Sequence, residues 1–174
     1  MDFKKLELIG FKSFFEKTNF FIEKGLTGIV GPNGCGKSNI VESLRWCMGE
    51  SSAKSIRGSG MEDVIFSGTS NKPSKNICEV TITIDNTSKE GQGRFIDMDQ
   101  IFIKRRIERD KGSKYFINEK EVRAKDVQTF FADLSTGAHS PSIISQGRIG
   151  MIVTAKPSER NLFWKKLLEF RVFI

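Results

Sequence analysis

Gly31-Pro32-Asn33-Gly34-Cys35-Gly36-Lys37-Ser38-Asn39 fits the pattern Gly, four residues, Gly-Lys-Ser, and its flanks suit the pattern as well as its letters do. The short apolar run Leu26-Thr27-Gly28-Ile29-Val30 ahead of it predicts a buried strand. Behind it, Ile40, Val41, Leu44, Cys47 and Met48 recur at helical spacing. Strand, glycine-rich turn and helix N-terminus together make a site for a triphosphate. Glycines let the chain curl so that backbone N–H groups from about Asn33 to Lys37 point inward, and the positive end of the helix dipole adds attraction. Lys37 supplies a cation for the β- and γ-phosphates and Ser38 a hydroxyl ligand for Mg²⁺. The expected ligands are therefore ATP, or a related nucleoside triphosphate, and Mg²⁺.

The composition is consistent with one folded lobe. A chain of 174 residues, 38% of them hydrophobic, hides about 70% of its unfolded surface when compact. No apolar run approaches the ~20 residues needed to cross a bilayer, and Met1-Asp2-Phe3-Lys4-Lys5 lacks the apolar core of a secretory signal. Cys35, Cys47 and Cys78 are too scattered for a zinc site, and an odd count argues against a disulfide framework. His139, the only histidine, has no partner at metal-ligand spacing. A reducing, cytoplasmic setting with no membrane partner is expected. The net charge of +7 favours an anionic partner. Basic residues gather at Lys104-Arg105-Arg106, with Arg109, Lys111 and Lys114 following, and again at Lys120, Arg123 and Lys125. A solvated hairpin face and a nucleic-acid surface explain these clusters equally well.

The pattern along the chain predicts a mixed α/β lobe with antiparallel strands beside a phosphate-loop core. Phe3 to Ile9 and Thr18 to Glu23 are expected strands, and the phosphate-loop helix should stop near Gly49. Cys78, Val80, Ile82 and Ile84 alternate with polar residues up to Asp85, as in a half-buried strand. Ile101–Arg109 and Lys114–Asn118 suggest a hairpin. Val127, Phe130, Phe131 and Leu134 place an amphipathic helix over Ala124 to Leu134. A last helix should begin near Pro157.

Several segments, taken in order, resemble the N-terminal ATPase-head half of the bacterial SMC (structural maintenance of chromosomes) family, a P-loop NTPase lobe of ABC type. They are Gly10-Phe11-Lys12-Ser13-Phe14, the phosphate loop with Ser38-Asn39-Ile40, Arg45-Trp46, Ser55-Ile56-Arg57-Gly58, Met61 to Phe66, and Ser142-Ile143-Ile144-Ser145-Gln146-Gly147-Arg148. The resemblance runs from Met1 to about Arg160 and makes residues 1–156 the head lobe. It makes Gly31, Pro32, Asn33, Gly34, Cys35, Gly36, Lys37, Ser38 and Asn39 the nucleotide loop, with Lys12 and Ser13 approaching it. It makes Gln146 the glutamine that ligates Mg²⁺ or orients the attacking water, and Arg57 the arginine that couples DNA binding to ATP turnover. It implies double-stranded DNA as a partner, and the basic clusters then become its expected contacts, through Arg123, Lys125, Lys104, Arg105 and Arg106. It further implies a C-terminal half-head, an SMC homodimer and kleisin-type accessory subunits, all acting in chromosome condensation and segregation at the bacterial nucleoid. A DNA-repair ATPase of RecF or RecN type is the alternative, and an inactive fragment is another. The nucleotide subunit of a membrane transporter is disfavoured, because Ser38-Asn39 replaces the usual Ser/Thr-Thr.

Two stretches imitate catalytic motifs. Leu134-Ser135-Thr136-Gly137 approximates the Leu-Ser-Gly-Gly signature but precedes Gln146 and lacks the second glycine. Val80 to Asp85 ends in an acid as a Walker B strand does, yet it alternates, and Asn86 stands where a catalytic glutamate belongs. The acidic metal ligand, the glutamate and the signature are therefore expected elsewhere, and the chain alone is not expected to hydrolyse ATP. Residues 157–174 begin the helix that leads to the family's coiled coil, but Asn161-Leu162-Phe163-Trp164-Lys165-Lys166-Leu167-Leu168-Glu169-Phe170-Arg171 departs from the family pattern. Codons exist for this stretch that, shifted by one nucleotide, spell Ser-Ile-Leu-Glu-Glu-Ala-Ala-Gly-Ile-Ser, which is the family pattern. The tail from 161 is thus expected to be out of frame, with no coiled coil, hinge or second half-head following.

Overall fold

The computed structural model describes residues 1–23, 27–53, 57–89 and 95–134. A six-stranded, wholly antiparallel sheet runs through them in the order β2-β1-β3-β4-β5-β6. The strands are β1 (Asp2–Ile9), β2 (Thr18–Phe21), β3 (Ile77–Asp85), β4 (Gln100–Glu108), β5 (Gly112–Ile117) and β6 (Lys120–Val122). Helices α1 (Lys37–Cys47) and α2 (Ala124–Asp133) lie on one face, and a 3₁₀ turn covers Met61–Val64. The two helices meet where the Gln128 side-chain amide donates to the Gly49 carbonyl at 2.8 Å.

Period-2 alternation explains which face is covered. Leu6 and Leu8 pair across β3 with Ile82 and Val80; Ile82 in turn faces Ile103, and Cys78 faces Ile107. All of these are buried, together with Trp46, Cys47 and Met48 from the end of α1 and Val127, Phe130 and Phe131 from α2. Phe131 stacks on Phe3, with ring centroids 6.4 Å apart. The opposite face carries Lys5 and Glu7, whose side chains pair at 3.0 Å, along with Glu79, Thr81, Lys104 and Arg106. Thr83 is the exception to the predicted half-exposed alternation of β3. It is buried, because central pairing sets it between Lys5 of β1 and Phe102 of β4.

The periodic elements fall close to where the sequence places them. Among the described residues, the strand predicted before the phosphate loop does not form. Thr27 to Val30 has no strand pairing, and Ile29 is 41% and Val30 94% exposed. The physical reason is non-local. A strand needs a neighbour to accept its backbone hydrogen bonds, and none of the described residues pairs with 27–30. The helix expected from Pro157 and the tail from Asn161 lie outside the described residues.

Candidate phosphate-binding site

Helix α1 begins at Lys37 behind Gly36, whose φ of 96° is left-handed and therefore suits glycine. A Cβ at Gly36 would stand 2.7 Å from Ser13 Oγ, and one at Gly31 would stand 2.9 Å from Cys35 Sγ. Glycine thus lets the loop close tightly on itself and on the Lys12–Ser13 turn. No side chain caps the helix N-terminus, and its first turn holds no acidic residue. Its N–H groups and dipole accordingly face a region free of competing carboxylates from the helix itself. Lys37 folds back over the loop, its Nζ donating to the carbonyls of Gly31 and Pro32 at 2.6 Å each. A tightly curled loop, an uncapped helix end and a lysine lying across the loop form a donor-rich cradle, and that donor set fits a polyphosphate.

Around the cradle the structure gathers three of the other predicted residues, Lys12, Ser13 and Arg57, and one that the sequence did not reveal. Asn39 Nδ2 donates to Ser13 Oγ at 2.9 Å, and Asn39 Oδ1 accepts from an Arg57 terminal nitrogen at 3.3 Å. Arg57 Nε and Lys12 Nζ both pair with the carboxylate of Glu42, one turn further along α1. Lys12, Ser13 and Arg57 are therefore linked through Asn39 and Glu42 at the start of α1. Glu42 went unread because sequence reasoning followed the apolar positions of α1. The available signal was a carboxylate three residues after Asn39, on the same side of the helix.

Arg57 opens a loop fixed at its far end by Asp63. That carboxylate accepts from the N–H of Gly60 at 2.9 Å, the N–H of Ser59 at 2.6 Å and the Ser59 hydroxyl at 2.8 Å. The Gly60 N–H first, and Ser59 after it, hold the Asp63 carboxyl below its ordinary 3.8.

The predicted basic surface divides into inward and outward residues. Arg123 and Lys125 are exposed at the start of α2, where the Arg123 N–H donates to Asp126 at 3.0 Å. Lys104 and Arg106 face outward from β4, Lys104 paired with Glu119 at 2.9 Å and Arg106 near Glu108 at 3.9 Å. Arg105 is a correction. It is 3% exposed and sits on the helix-covered face, so it cannot reach a DNA phosphate. The same alternation that buries Ile101, Ile103 and Ile107 carries residue 105 inward, a signal that the run of three basic residues obscured. Its guanidinium lies 4.3 Å from the Trp46 ring and 4.6 Å from the Tyr115 ring, and donates to the carbonyls of Trp46 and Glu50 and to Ser113 Oγ.

The resemblance of β3 to a metal-binding strand is superficial. Asp85 accepts from the Thr87 N–H at 2.9 Å and pairs with Lys4 at 3.4 Å. Asn86 is buried, with its amide donating to the carbonyls of Phe95 and Met98 at 2.8 Å each. Both residues organise the end of the strand. Leu134 caps α2, its N–H donating to the Phe130 carbonyl at 3.3 Å, while Ser135 to Gly137 lie outside the described residues. Gln146 and His139 lie outside them too. Among the described residues no helix is long and apolar enough to cross a membrane, and no cluster of His, Cys, Asp and Glu is placed to hold a metal ion.

Residues 2–151 match the RecF/RecN/SMC N terminal domain family. The chromosome partition protein Smc of Rhodopseudomonas palustris is 56% identical over 161 residues, which make up 92% of this chain but 14% of that protein. The described fold is similar to an SMC head bound to the C-winged helix domain of ScpA, with a TM-score of 0.85 at 34% identity, covering 94% of this chain and 50% of that one. It is also similar to a chain solved in work on ATP-driven dimerization and DNA-stimulated activation of SMC ATPases. There the TM-score is 0.82 at 32% identity, covering 96% of this chain and 99% of that one.

Proposed function

The chain belongs to the RecF/RecN/SMC N-terminal domain family, and from that premise we propose that it is the ATP-binding N-terminal half of an SMC ATPase head acting in chromosome condensation and segregation. The observation that carries the nucleotide part is the uncapped start of α1 behind Gly36, with Lys37 lying across the loop carbonyls. The chain spans 14% of the length of the relative with which it shares 56% of its residues, so the working of the whole protein is inferred from likeness. Relatives 40% to 56% identical carry the name chromosome partition protein Smc, which favours the SMC reading over a RecF- or RecN-type repair ATPase.

In this reading the backbone of Asn33 to Lys37 and the Lys37 ammonium hold the phosphates, and the Ser38 hydroxyl is a ligand for Mg²⁺. Gln146 supplies a further polar contact to the metal or to water. The bound metal neutralises phosphate charge for transfer to water. Asp85 and Asn86 are engaged in the strand end, so the remaining catalytic groups are assigned to a C-terminal half-head. The 174-residue chain by itself is then expected to turn over no ATP. Double-stranded DNA and a second SMC copy are the further partners proposed. A kleisin-type subunit joins them by analogy with the head bound to ScpA.

Titration with a fluorescent ATP analogue tests the core of this. Lys37→Ala should weaken binding by about tenfold or more, since a charge-assisted contact contributes roughly 1.5–3 kcal/mol. Ser38→Ala should weaken only the Mg²⁺-dependent part. Equal affinity in wild type and both variants would sink the assignment.

A further inference from the structure

Two separate turns beside the phosphate loop pass through a non-glycine residue with left-handed backbone, Lys12 with φ 45° and Arg57 with φ 52°. Such positions carry a conformational cost and persist where the surroundings hold them. The cations of both residues converge on the one carboxylate of Glu42, whose side chain is 9% exposed. Lys12 is fixed a second way, its N–H donating to the Val64 carbonyl at 2.7 Å. One turn back along α1, Asn39 bridges Arg57 to Ser13, the residue that walls Gly36.

We propose that Glu42 is a positioning residue of the nucleotide site. Its buried carboxylate fixes the Lys12 turn and the Arg57 turn against the phosphate-loop helix, and Asn39 passes that placement to Ser13 at the loop wall. The proposal rests on the nucleotide-binding reading of the loop. Two carboxylate oxygens accept from two cations, which a neutral amide of the same shape cannot do, because one of its two heads is a donor. The placement sets two positive groups beside the loop before any anion arrives, so the ordering cost is met in folding rather than in binding.

Glu42→Gln separates this from simple electrostatics, because the two accounts differ in sign. Removing a negative charge beside an anion site should strengthen anion binding if only the field matters. If Glu42 positions, the fluorescent ATP analogue should bind about threefold more weakly despite the gained positive charge. Limited trypsin digestion supplies a readout that needs no nucleotide. In Glu42→Gln, cleavage after Arg57 and after Lys12 should accelerate about five- to tenfold relative to cleavage after Lys111. Lys111, 71% exposed in the β4–β5 turn, serves as internal standard for the overall fold. Arg57→Lys, a surface change that keeps the charge and the trypsin site but loses the fork to Glu42 and Asn39, should accelerate cleavage at position 57 alone. Unchanged cleavage ratios, or equal or tighter analogue binding in Glu42→Gln, overturn the proposal. A wild-type chain that binds no analogue overturns the parent reading instead.

Discussion

Arg105→Ala should destabilise the chain severely, while the same change at either neighbour should do little. The guanidinium makes three hydrogen bonds, to Ser113 Oγ at 2.8 Å, the Trp46 carbonyl at 2.7 Å and the Glu50 carbonyl at 2.6 Å, and lies over two aromatic rings. Truncation leaves two carbonyls near the end of α1 without this donor, at roughly 1 kcal/mol each at the low end of the range, and forfeits about 1 kcal/mol of stacking. Relief from burying a charge, which lowers the Arg105 pKa, works the other way. The gross loss of about 3 kcal/mol, reduced by that relief, lowers the melting temperature of a chain this long by at most roughly 6–12 °C. Arg105→Met, which refills the space without the donors, should recover about half of the loss. Lys104→Ala and Arg106→Ala, on the open face, should each stay within about 0.5 kcal/mol. Thermal melts followed by far-ultraviolet circular dichroism decide it. An Arg105→Ala melt within about 2 °C of wild type, or a Lys104→Ala melt that falls as far as Arg105→Ala, would refute the reasoning.

Other consequences are simpler to check. Of the three thiols, Cys35 is exposed, whereas burial pushes Cys47 up to about 12 and Cys78 upward as well, so Ellman's reagent should find one fast thiol in the native chain and all three after denaturation; two fast thiols would contradict the packing. The folded-state pKa of Asp63 is lowered, so its contribution is complete above the ordinary 3.8 and is lost only as pH falls through the lowered value. An NMR titration should place its inflection below 3.8, and one at or above that value would undo the Gly60–Ser59 assignment. Binding to unrelated duplexes should weaken steeply with salt, and joint charge reversal at Arg123 and Lys125 should flatten the logarithmic slope by about 1 for each phosphate that is no longer neutralised. An unchanged slope would return both residues to being a solvated face.

What the sequence disclosed depended on how far each signal reached along the chain. The alternation in β1, β3 and β4 and the helical spacing of Val127, Phe130 and Phe131 are local, and those elements lie within a residue or two of their predicted bounds. Strand β6 is only three residues, Lys120-Glu121-Val122, and the turn before it places Asn118 and Glu119 at positive φ, 47° and 64°. Without the usual Asn-Gly pair such a turn is hard to see. Thr27 to Val30 failed for the opposite reason. Its apolar letters report what a neighbour would cover, and no letter within the run says where that neighbour is. The phosphate loop was legible because its geometry is set almost entirely by its own glycines and by the helix that follows. Glu42 was not, since its meaning lies in Lys12 and Arg57, thirty and fifteen residues away in either direction along the chain.

The two ends of α1 are held by opposite kinds of charge, and the difference bears on how the site can work. At its C-terminal end a buried cation from the sheet, Arg105, donates to the Trp46 carbonyl, which the helix dipole makes negative, and to the Glu50 carbonyl just beyond the helix, in a setting closed to water. Interactions there are strong and costly to break, so this end fixes the helix to the sheet. At its N-terminal end the groups are Asn39 and Glu42 on the helix and Lys12, Ser13 and Arg57 on two loops, and the Arg57 side chain is 60% exposed. The Lys12–Glu42 pair is largely closed to water and holds both turns, so only the outer part of the Arg57 side chain is open to exchange of partners. In the proposed nucleotide site the helix axis must stay rigid so that its N–H groups keep their aim, while an exposed cation beside them can adjust to an arriving anion. The burial gradient along α1 suits that division: the sheet end holds the aim, Glu42 sets the two loop turns, and the exposed part of Arg57 is left to meet an anion.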